Sequence, residues 1–215
     1  MDIEAKATTK NAAQEADKNI ARGRLILVLG GARSGKSTFA EDLVGRIGGQ
    51  VAYIATSQAL DDEMRDRIRL HRERRPANWV TIEETHWVAD RLAGLEADVV
   101  LLDCLTLLIS NLLLDEEFGS PENKTEAILK EITKLAQAAR DSKADVIVVS
   151  NEVGQGLVPT YPLGRLYRDV AGWANQIMAR QADEVYMVIA GIPVELQELG
   201  RKVREGLRED EHYDS

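Results

Sequence analysis

The sequence contains few of the residues that build disulfide frameworks or metal centres. It has one cysteine, Cys104, and three histidines, His71, His86 and His212. A single cysteine excludes an internal disulfide and any metal site made of several cysteines. The histidines are too few and too scattered to predict a histidine-rich metal centre. The hydrophobic content of 44% is nevertheless ordinary, so we expect a folded protein with an apolar core.

The sequence also lacks a basic excess and long uninterrupted apolar runs. Lys and Arg total 27 against 36 Asp and Glu, which gives a formal net charge of −9. General nucleic-acid binders carry a basic excess, so no nucleic-acid partner is expected. Polar residues interrupt the longest apolar stretch, at 99–114, and no stretch reaches the ~18 residues of a membrane span. The polar N-terminus does not resemble a signal peptide, and we expect a cytoplasmic protein.

Three parts of the chain differ in composition. Residues 1–23 are polar, Ala-rich and of mixed charge, which favours a flexible arm, although a short helix over 11–21 is an alternative. Residues 24–201 are expected to form a single domain. Residues 202–215 are charged again and are expected to be a loose tail.

Apolar stretches alternate with amphipathic ones inside the predicted domain. Runs rich in Val, Ile and Leu predict strands at 24–30, 51–55, 79–84, 98–103, 145–150 and 183–191. Helical patterns lie between most of them, at 36–47, 61–74, 87–95, 121–140 and 165–181. Nearly continuous apolar strands are typical of sheets covered on both faces. The pattern therefore predicts an α/β fold with a mostly parallel sheet and helices on both faces.

The most specific motif is a glycine-rich stretch between the first predicted strand and the helix after it. Its residues are Gly30, Gly31, Ala32, Arg33, Ser34, Gly35, Lys36 and Ser37. They match the G-x-x-x-x-G-K-[ST] pattern of a phosphate-binding loop (P-loop), whose backbone N–H groups face phosphate oxygens at a helix N-terminus. Lys36 is expected to reach the β- and γ-phosphates, and Ser37 is expected to bind Mg²⁺. The full pattern in this context disfavours a mere glycine-rich turn.

A P-loop needs a second carboxylate on the metal side, and Asp103 at the end of VVLLD is the best candidate. The alternative role for Asp103 is that of an N-cap, because a helical stretch follows it. Asp98 and Asp145 begin their strands, so we expect them at the opposite edge of the sheet. Ligands bind at the carboxyl ends of the strands in open α/β sheets. Two further segments are therefore expected near the P-loop: Ala55-Thr56-Ser57 and residues 150–152.

A basic cluster with one histidine follows the second predicted strand. Six arginines surround His71: Arg65, Arg67, Arg69, Arg72, Arg74 and Arg75. Arginines collect where phosphates are bound, and a histidine there can act as a general acid or base, a phosphate donor or a nucleophile. On the residues alone, a solvated helix face with a chance histidine explains the segment at least as well.

Six motifs occur in order along the chain: GGARSGKS (30–37), YIATSQ (53–58), DDEMRDRIRLHRERRPANWVTIE (61–83), LLDCLTLLISNLL (101–113), SNEVGQGLVP (150–159) and GRLYRDVAGWANQIMARQADEVYMVIAGIP (164–193). Together they resemble the adenosylcobinamide kinase / adenosylcobinamide-phosphate guanylyltransferase family of cobalamin biosynthesis. The resemblance covers about residues 25–193. Leu108 stands where many members have Trp, and residues 1–23 have no counterpart in the family pattern.

The resemblance implies a recombinase-like P-loop NTPase fold with one antiparallel strand. It also implies a bifunctional enzyme that phosphorylates adenosylcobinamide with ATP or GTP. The second reaction transfers GMP from GTP to adenosylcobinamide phosphate through a guanylylated His71, giving adenosylcobinamide-GDP and pyrophosphate. Mg²⁺ is the implied cofactor. The implied assembly is a homotrimer in which the helix over 61–75 lies near a subunit boundary.

The resemblance further implies which residues bind the nucleotide. Beyond the P-loop they are Ala55, Thr56, Ser57, Arg72, Glu73, Arg74, Arg75, Glu83 and Asp103. The 150–159 segment is either a plain turn or a loop facing the nucleotide or the corrinoid. Two other functions are compatible with the P-loop: a single-activity kinase in which His71 is structural, and a recombinase-like regulatory NTPase. The acidic charge weighs against work on DNA.

Overall fold

The computed structural model describes residues 22–58, 75–120 and 122–210, together with positions 62, 65, 66, 69, 72 and 73. Seven strands and six helices lie in this part of the chain. The strands are β1 (Leu25–Gly30), β2 (Val51–Ala55), β3 (Val80–Glu83), β4 (Val99–Asp103), β5 (Asp145–Asn151), β6 (Glu184–Ile189) and β7 (Ile192–Glu195). The helices are α1 (Lys36–Ile47), α2 (Val88–Ala93), α3 (Leu105–Leu114), α4 (Lys124–Asp141), α5 (Pro162–Gln181) and α6 (Leu196–Asp210).

The strands form one sheet in the order β3-β2-β4-β5-β1-β6-β7. All neighbouring pairs of this sheet are parallel except β6 and β7. The strand predicted over 183–191 ends at Ile189, because Ala190 and Gly191 turn the chain with φ angles of 51° and 80°. A tight two-residue hairpin turn requires such positive angles. The mostly parallel sheet and its one antiparallel strand are thus confirmed.

Helices cover both faces of the sheet. Leu25 and Leu27 of β1 pack into the core shared with α2, α3, α4 and α5, whereas Ile26 and Val28 pack into the core shared with α1. Successive side chains of a strand point to opposite faces, so β1 is buried at every position. Burial on both faces explains why β1, β2, β4 and β5 have nearly continuous apolar sequences. The predicted α/β architecture is confirmed.

The charged C-terminal segment is helical where the sequence predicts a loose tail. Helix α6 continues through residues 202–210, and residues 211–215 lie outside the described part of the chain. Leu, Glu, Lys and Arg dominate this helix, and all four favour helical backbone. Lys202 also pairs with Glu198 at 2.6 Å, one helical turn away. Composition alone therefore underestimated the helix.

The first two described residues are attached to the sheet, although the sequence predicts a flexible arm as far as residue 23. The Gly23 N–H donates to the Ser142 carbonyl at 2.8 Å, and a Cβ on Gly23 would overlap the Ala144 carbonyl. Arg22 pairs with Asp183 at 2.8 Å. The folded unit thus includes residues 22 and 23, and residues 1–21 lie outside the described chain. Among the described helices, none has the length and apolar composition needed to cross a membrane.

Candidate nucleotide-binding site

The P-loop lies between the end of β1 and the start of α1, as the motif predicts. Two of its residues have left-handed backbone, Arg33 with φ of 56° and Gly35 with φ of 95°. Gly35 is also approached by the hairpin turn, since an added Cβ would lie 3.1 Å from the Gly191 Cα. Alternation of right- and left-handed residues makes successive backbone N–H groups converge, which creates an anion-binding concavity.

Neighbouring elements hold the P-loop in place from two sides. The Gly191 N–H donates to the Ser34 carbonyl at 2.8 Å, and the Glu152 N–H donates to the Gly30 carbonyl at 3.1 Å. Lys36 Nζ donates back to the Gly31 carbonyl at 3.2 Å. The Ser34 hydroxyl is buried without a hydrogen-bond partner among the described residues. A buried polar group left unpaired is costly, so this hydroxyl fits a site that receives an oxygen-rich ligand.

The carboxyl ends of the strands bring several predicted site residues to one edge. Glu83, Ala55 and Asp103 are aligned across β3, β2 and β4. Asn151 at the end of β5 is aligned with Gly30 at the start of the P-loop. The predicted shared edge is therefore confirmed, while the nucleotide-binding roles of these residues stay predictions. Asp98 and Asp145, which were expected at the other edge, bind the Gln50 and Arg24 N–H groups there.

Asp103 has a partner that the sequence analysis did not single out. The Tyr53 hydroxyl donates to Asp103 Oδ2 at 2.7 Å, and only 2% of Tyr53 is exposed. Burial, and then the nearby Asp103 charge, raise the pKa of Tyr53, so the phenol stays protonated and acts as the donor. The only signal in the sequence is one hydroxyl-bearing side chain in an otherwise apolar strand, two residues before the strand ends.

Arg75, at the end of the basic cluster, packs against the ring of the same tyrosine. The Arg75 guanidinium carbon lies 3.3 Å from the centre of the Tyr53 ring, and such contacts between a cation and an aromatic face are attractive. Trp79 stacks beside Tyr53, with ring centroids 6.5 Å apart and an interplanar angle of 27°. Of the predicted basic residues, Arg75 is thereby placed next to a residue that binds Asp103.

The other residues of the basic segment are placed less fully. His71 and Arg74 lie outside the described residues, as do Arg67 and most of the helix predicted over 61–74. Arg72 and Glu73 are exposed. Ion pairs with the three- or four-residue spacing of a helix surface connect some described positions: Arg65–Asp62 at 2.6 Å, Arg69–Asp66 at 3.3 Å and Arg69–Glu73 at 2.9 Å. The catalytic role of His71 stays a prediction.

The Thr56 side chain is hydrogen-bonded between the ends of β2 and β4 and does not face the solvent. It is completely buried, and its hydroxyl donates to the Cys104 carbonyl and accepts from the Cys104 N–H, both at 2.8 Å. Asn111 of α3 donates to the Thr56 carbonyl at 2.8 Å and to the Thr85 carbonyl at 3.0 Å. The Thr56 hydroxyl therefore joins the ends of β2 and β4, and its backbone carbonyl helps to position α3. Ser57 beside it is half-buried.

The segment 150–159 is anchored at its start and projects at its tip. Ser150 Oγ donates to Asn175 Oδ1 at 2.6 Å, and Asn175 Nδ2 donates to the Asn151 carbonyl at 3.1 Å. Further along, Leu157 is 97% exposed and Val158 is 62% exposed. The turn and the ligand-facing loop are both compatible with this arrangement.

The available oxygen donors suit a magnesium ion that is shared with a nucleotide. Ser37 is the second residue of α1, Asp103 ends β4, and both are half-buried. No group of three or more His, Cys, Asp or Glu side chains among the described residues is arranged to hold a metal. Mg²⁺ in phosphate sites needs only one or two protein ligands, because phosphates and water supply the rest. The residues present thus fit Mg²⁺ bound together with a triphosphate.

A P-loop at the carboxyl edge of a mostly parallel sheet, with a carboxylate at the end of β4, defines a nucleotide-binding protein of the P-loop NTPase class. Within that class, residues 26–196 match the sequence model of the CobU family, described as cobinamide kinase / cobinamide phosphate guanyltransferase. The chain belongs to this family of transferases, and the resemblance seen in its motifs is confirmed.

The chain matches named relatives over almost the whole of their length. The chain is 45% identical over 184 residues to the bifunctional adenosylcobalamin biosynthesis protein CobU of Escherichia coli (strain K12), covering 80% of this chain and 99% of that protein. It is 44% identical over 174 residues to the bifunctional adenosylcobalamin biosynthesis protein CobP of Pseudomonas aeruginosa. This match covers 80% of this chain and 96% of that protein. Superposition on a solved RadB recombinase gives a TM-score of 0.41 at 18% identity and covers 78% of this chain and 74% of the recombinase. The family assignment rests on the sequence relatives.

Proposed function

We propose that the chain is a bifunctional enzyme that phosphorylates adenosylcobinamide and then attaches GMP to the product. ATP or GTP is the phosphate donor, GTP is the GMP donor, and Mg²⁺ is the cofactor. The observation that carries the proposal is a P-loop shaped by left-handed Arg33 and Gly35 on the sheet edge that also holds Asp103. Membership of the cobinamide kinase / guanyltransferase family supports the choice of substrate.

In the first reaction the aminopropanol hydroxyl of adenosylcobinamide attacks the γ-phosphorus. A new O–P bond forms, the bond from the γ-phosphorus to the bridging oxygen breaks, the nucleoside diphosphate leaves, and the hydroxyl proton passes to water. The P-loop N–H groups and Lys36 hold the β- and γ-phosphate oxygens. Ser37 and Asp103 would bind Mg²⁺, which would neutralise charge on the phosphates.

The second reaction takes place at a different phosphorus, so it needs a group outside the P-loop. The unprotonated ring nitrogen of His71 attacks the α-phosphorus of GTP, and an N–P bond forms. The bond from the α-phosphorus to the oxygen that bridges it to the β-phosphate breaks, and pyrophosphate leaves. A phosphate oxygen of adenosylcobinamide phosphate then attacks the same phosphorus, an O–P bond forms, and the N–P bond to His71 breaks. Arg72, Arg74 and Arg75 neutralise charge on the leaving pyrophosphate, a contribution of ~10²–10³ in rate for one such contact.

We also infer that the protein acts as a homotrimer in the cytoplasm, as the resemblance implies. An exposed apolar face supports assembly with further copies of the chain. Five large apolar side chains within ten residues are solvent-exposed in the single chain: Leu157, Val158, Tyr161, Leu163 and Leu166. Exposed apolar patches are typical of contact with another protein, so this stretch supports contact with further copies of the chain.

Product analysis tests the two reactions separately. Adenosylcobinamide is incubated with Mg²⁺ and either ATP or GTP, and the products are separated by liquid chromatography with mass detection. We expect adenosylcobinamide phosphate with either nucleotide, and adenosylcobinamide-GDP with pyrophosphate only when GTP is present. Lys36→Ala is expected to lower phosphorylation by ~10²–10³, whereas Lys143→Ala, at an exposed position at the amino edge of the sheet, leaves it unchanged.

The alternatives predict different products. A single-activity kinase gives the phosphate alone with both nucleotides. A regulatory NTPase hydrolyses its nucleotide without any corrinoid and produces neither adduct. Either result contradicts the proposed bifunctional enzyme.

A further inference from the structure

Tyr53 contacts both chemically distinct parts of the candidate site. Its hydroxyl binds Asp103 Oδ2 at 2.7 Å, on the metal side. Its ring packs against Arg75 at the end of the basic segment, with the guanidinium carbon 3.3 Å from the ring centre. The two contacts use different parts of one side chain, so substitution can separate them.

The hydroxyl contact fixes the direction of a carboxylate. Strand β2 lies between β3 and β4, and Tyr53 is aligned there with Thr81 on one side and Leu101 on the other. Only 2% of Tyr53 is exposed, and its strand is flanked by strands on both sides, so its ring has little freedom. Its hydroxyl therefore presents one proton to Asp103 from a fixed position. Partners that orient a metal-binding carboxylate typically change metal affinity or activity 10–100-fold when they are removed.

The ring contact fixes the end of the basic segment. Arg75 Nε is buried and has no hydrogen-bond partner among the described residues. The contact that the structure shows for this guanidinium is the aromatic face of Tyr53, 3.3 Å from its central carbon. Four residues later, Trp79 stacks beside the same ring. The short stretch from Arg75 to Trp79 is thus docked at both ends on Tyr53.

We propose that Tyr53 is a positioning residue shared by both reactions: its hydroxyl orients Asp103 for phosphoryl transfer, and its ring seats Arg75 for GMP transfer. This inference rests on the proposed function for its activity readouts. The seating of Arg75 is a property of the free protein and can be measured without substrate.

Two substitutions of the same residue test the proposal. Tyr53→Phe removes the hydroxyl and keeps the ring, so it acts on Asp103 alone. We expect the Mg²⁺ concentration for half-maximal phosphorylation to rise 10–100-fold, while the rate at which GTP attaches GMP to the enzyme at saturating Mg²⁺ changes less than about threefold. Tyr53→Leu removes the ring as well, and we expect it to lower both rates at least tenfold.

Hydrogen exchange in Mg²⁺-free, nucleotide-free protein supplies a readout independent of activity. The backbone amides of Arg75, Ala77, Asn78 and Trp79 are expected to exchange at least tenfold faster in Tyr53→Leu and at the unsubstituted rate in Tyr53→Phe. Amides of β1 and β5 report global opening, so they distinguish local release of this stretch from general loss of stability. If Tyr53→Leu does not fold, Tyr53→Phe still tests the hydroxyl, and Arg75→Gln, which removes the cation from the ring, tests the ring contact by the same exchange measurement.

The outcomes separate this inference from the proposed function. Unaltered Mg²⁺ dependence in Tyr53→Phe overturns the role of the hydroxyl. Unaltered exchange at residues 75–79 in folded Tyr53→Leu, or exchange in Tyr53→Phe as fast as in Tyr53→Leu, overturns the role of the ring. Failure of the unsubstituted protein to form either corrinoid product contradicts the proposed function, and the exchange measurement still decides whether Tyr53 seats Arg75.

Discussion

At the scale of single residues, Asp183 joins the start of the folded chain to the sheet. Its carboxylate accepts two hydrogen bonds from Arg22, at 3.0 and 2.8 Å, one from Arg140 at 3.1 Å and one from the Leu25 N–H at 2.9 Å. The bonds from Arg22 are the largest cause that lowers the pKa of Asp183, to about 2 from its usual 3.8. Four donors on one half-buried carboxylate make it a determinant of stability.

Asp183→Asn is expected to lower the free energy of unfolding at neutral pH by about 1.5–3 kcal/mol, because the charged donors lose the carboxylate charge and one of its two acceptor oxygens. The pKa of Asp183 is lower in the folded protein than in the unfolded chain. Its stabilisation is therefore complete above about pH 3.8 and disappears as the pH falls through about 2. Urea unfolding of both proteins between pH 2 and 7 measures the difference.

The exposed pair between Asp90 and Lys134, at 2.7 Å, supplies a control. Asp90→Asn is expected to change stability much less, because exposed pairs contribute little. A stability difference for Asp183→Asn that stays constant down to pH 2 would contradict the assignment of the low pKa to this carboxylate.

At the scale of elements, the P-loop depends on a hairpin that is distant in sequence. The turn at Ala190 and Gly191 donates a hydrogen bond to Ser34 and packs against Gly35. The hydrophobic pattern continued through this turn, so the sequence predicted one long strand over 183–191. Antiparallel pairing of β6 with β7 results from the turn and cannot be read from periodicity.

Gly35→Ala is expected to destabilise the protein by about 1–3 kcal/mol, because a Cβ there combines a left-handed backbone with a close approach to Gly191. It is also expected to weaken nucleotide binding at least tenfold, since the loop backbone must shift. Gly45 in α1 is the matched control, because it is exposed and a Cβ there meets nothing within 4 Å. Gly45→Ala should stabilise the helix by roughly 0.5–1 kcal/mol.

Thermal unfolding and titration with a fluorescent nucleotide analogue give both quantities for these two variants. If Gly35→Ala binds nucleotide as tightly as the unsubstituted protein, the loop geometry is not what holds the phosphates.

The sequence predicts some elements and contacts of the fold accurately and misses others. Strands β1 to β5 were located to within one or two residues. Burial gives β1, β2, β4 and β5 nearly uninterrupted apolar runs, whereas β3 is a partly exposed edge strand whose residues alternate between apolar and polar. The P-loop and Asp103 were found because their motifs are local. The contact of Tyr53 with Asp103 and Arg75 was missed, because it arises from the alignment of β2 with β4 and from the return of the chain into β3. Those relationships belong to the folded sheet.

At the scale of the whole molecule, one sheet edge assembles segments from most of the chain. The P-loop, the ends of β2, β3 and β4, and the start of the 150–159 loop meet there. The amino edge instead carries the ion pairs of Arg22 and Arg24. One edge therefore serves stability and the other serves the proposed chemistry, as is usual in open α/β sheets.

The proposed function depends above all on His71 as the residue that carries GMP between GTP and the corrinoid. Intact mass spectrometry of the protein after incubation with GTP and Mg²⁺ detects this intermediate. His86→Ala is the matched control, because both ring nitrogens of His86 already have partners in the folded chain. Its Nδ1 is hydrogen-bonded to the Thr85 hydroxyl at 2.8 Å, and its Nε2 lies 3.4 Å from Asp115 Oδ2.

We predict one added GMP mass on the unsubstituted protein and on His86→Ala, lost on mild acid treatment as a phosphoramidate should be, and no added mass on His71→Ala. The absence of an adduct while GTP is bound, or an adduct that persists in His71→Ala, would contradict the proposed role of His71.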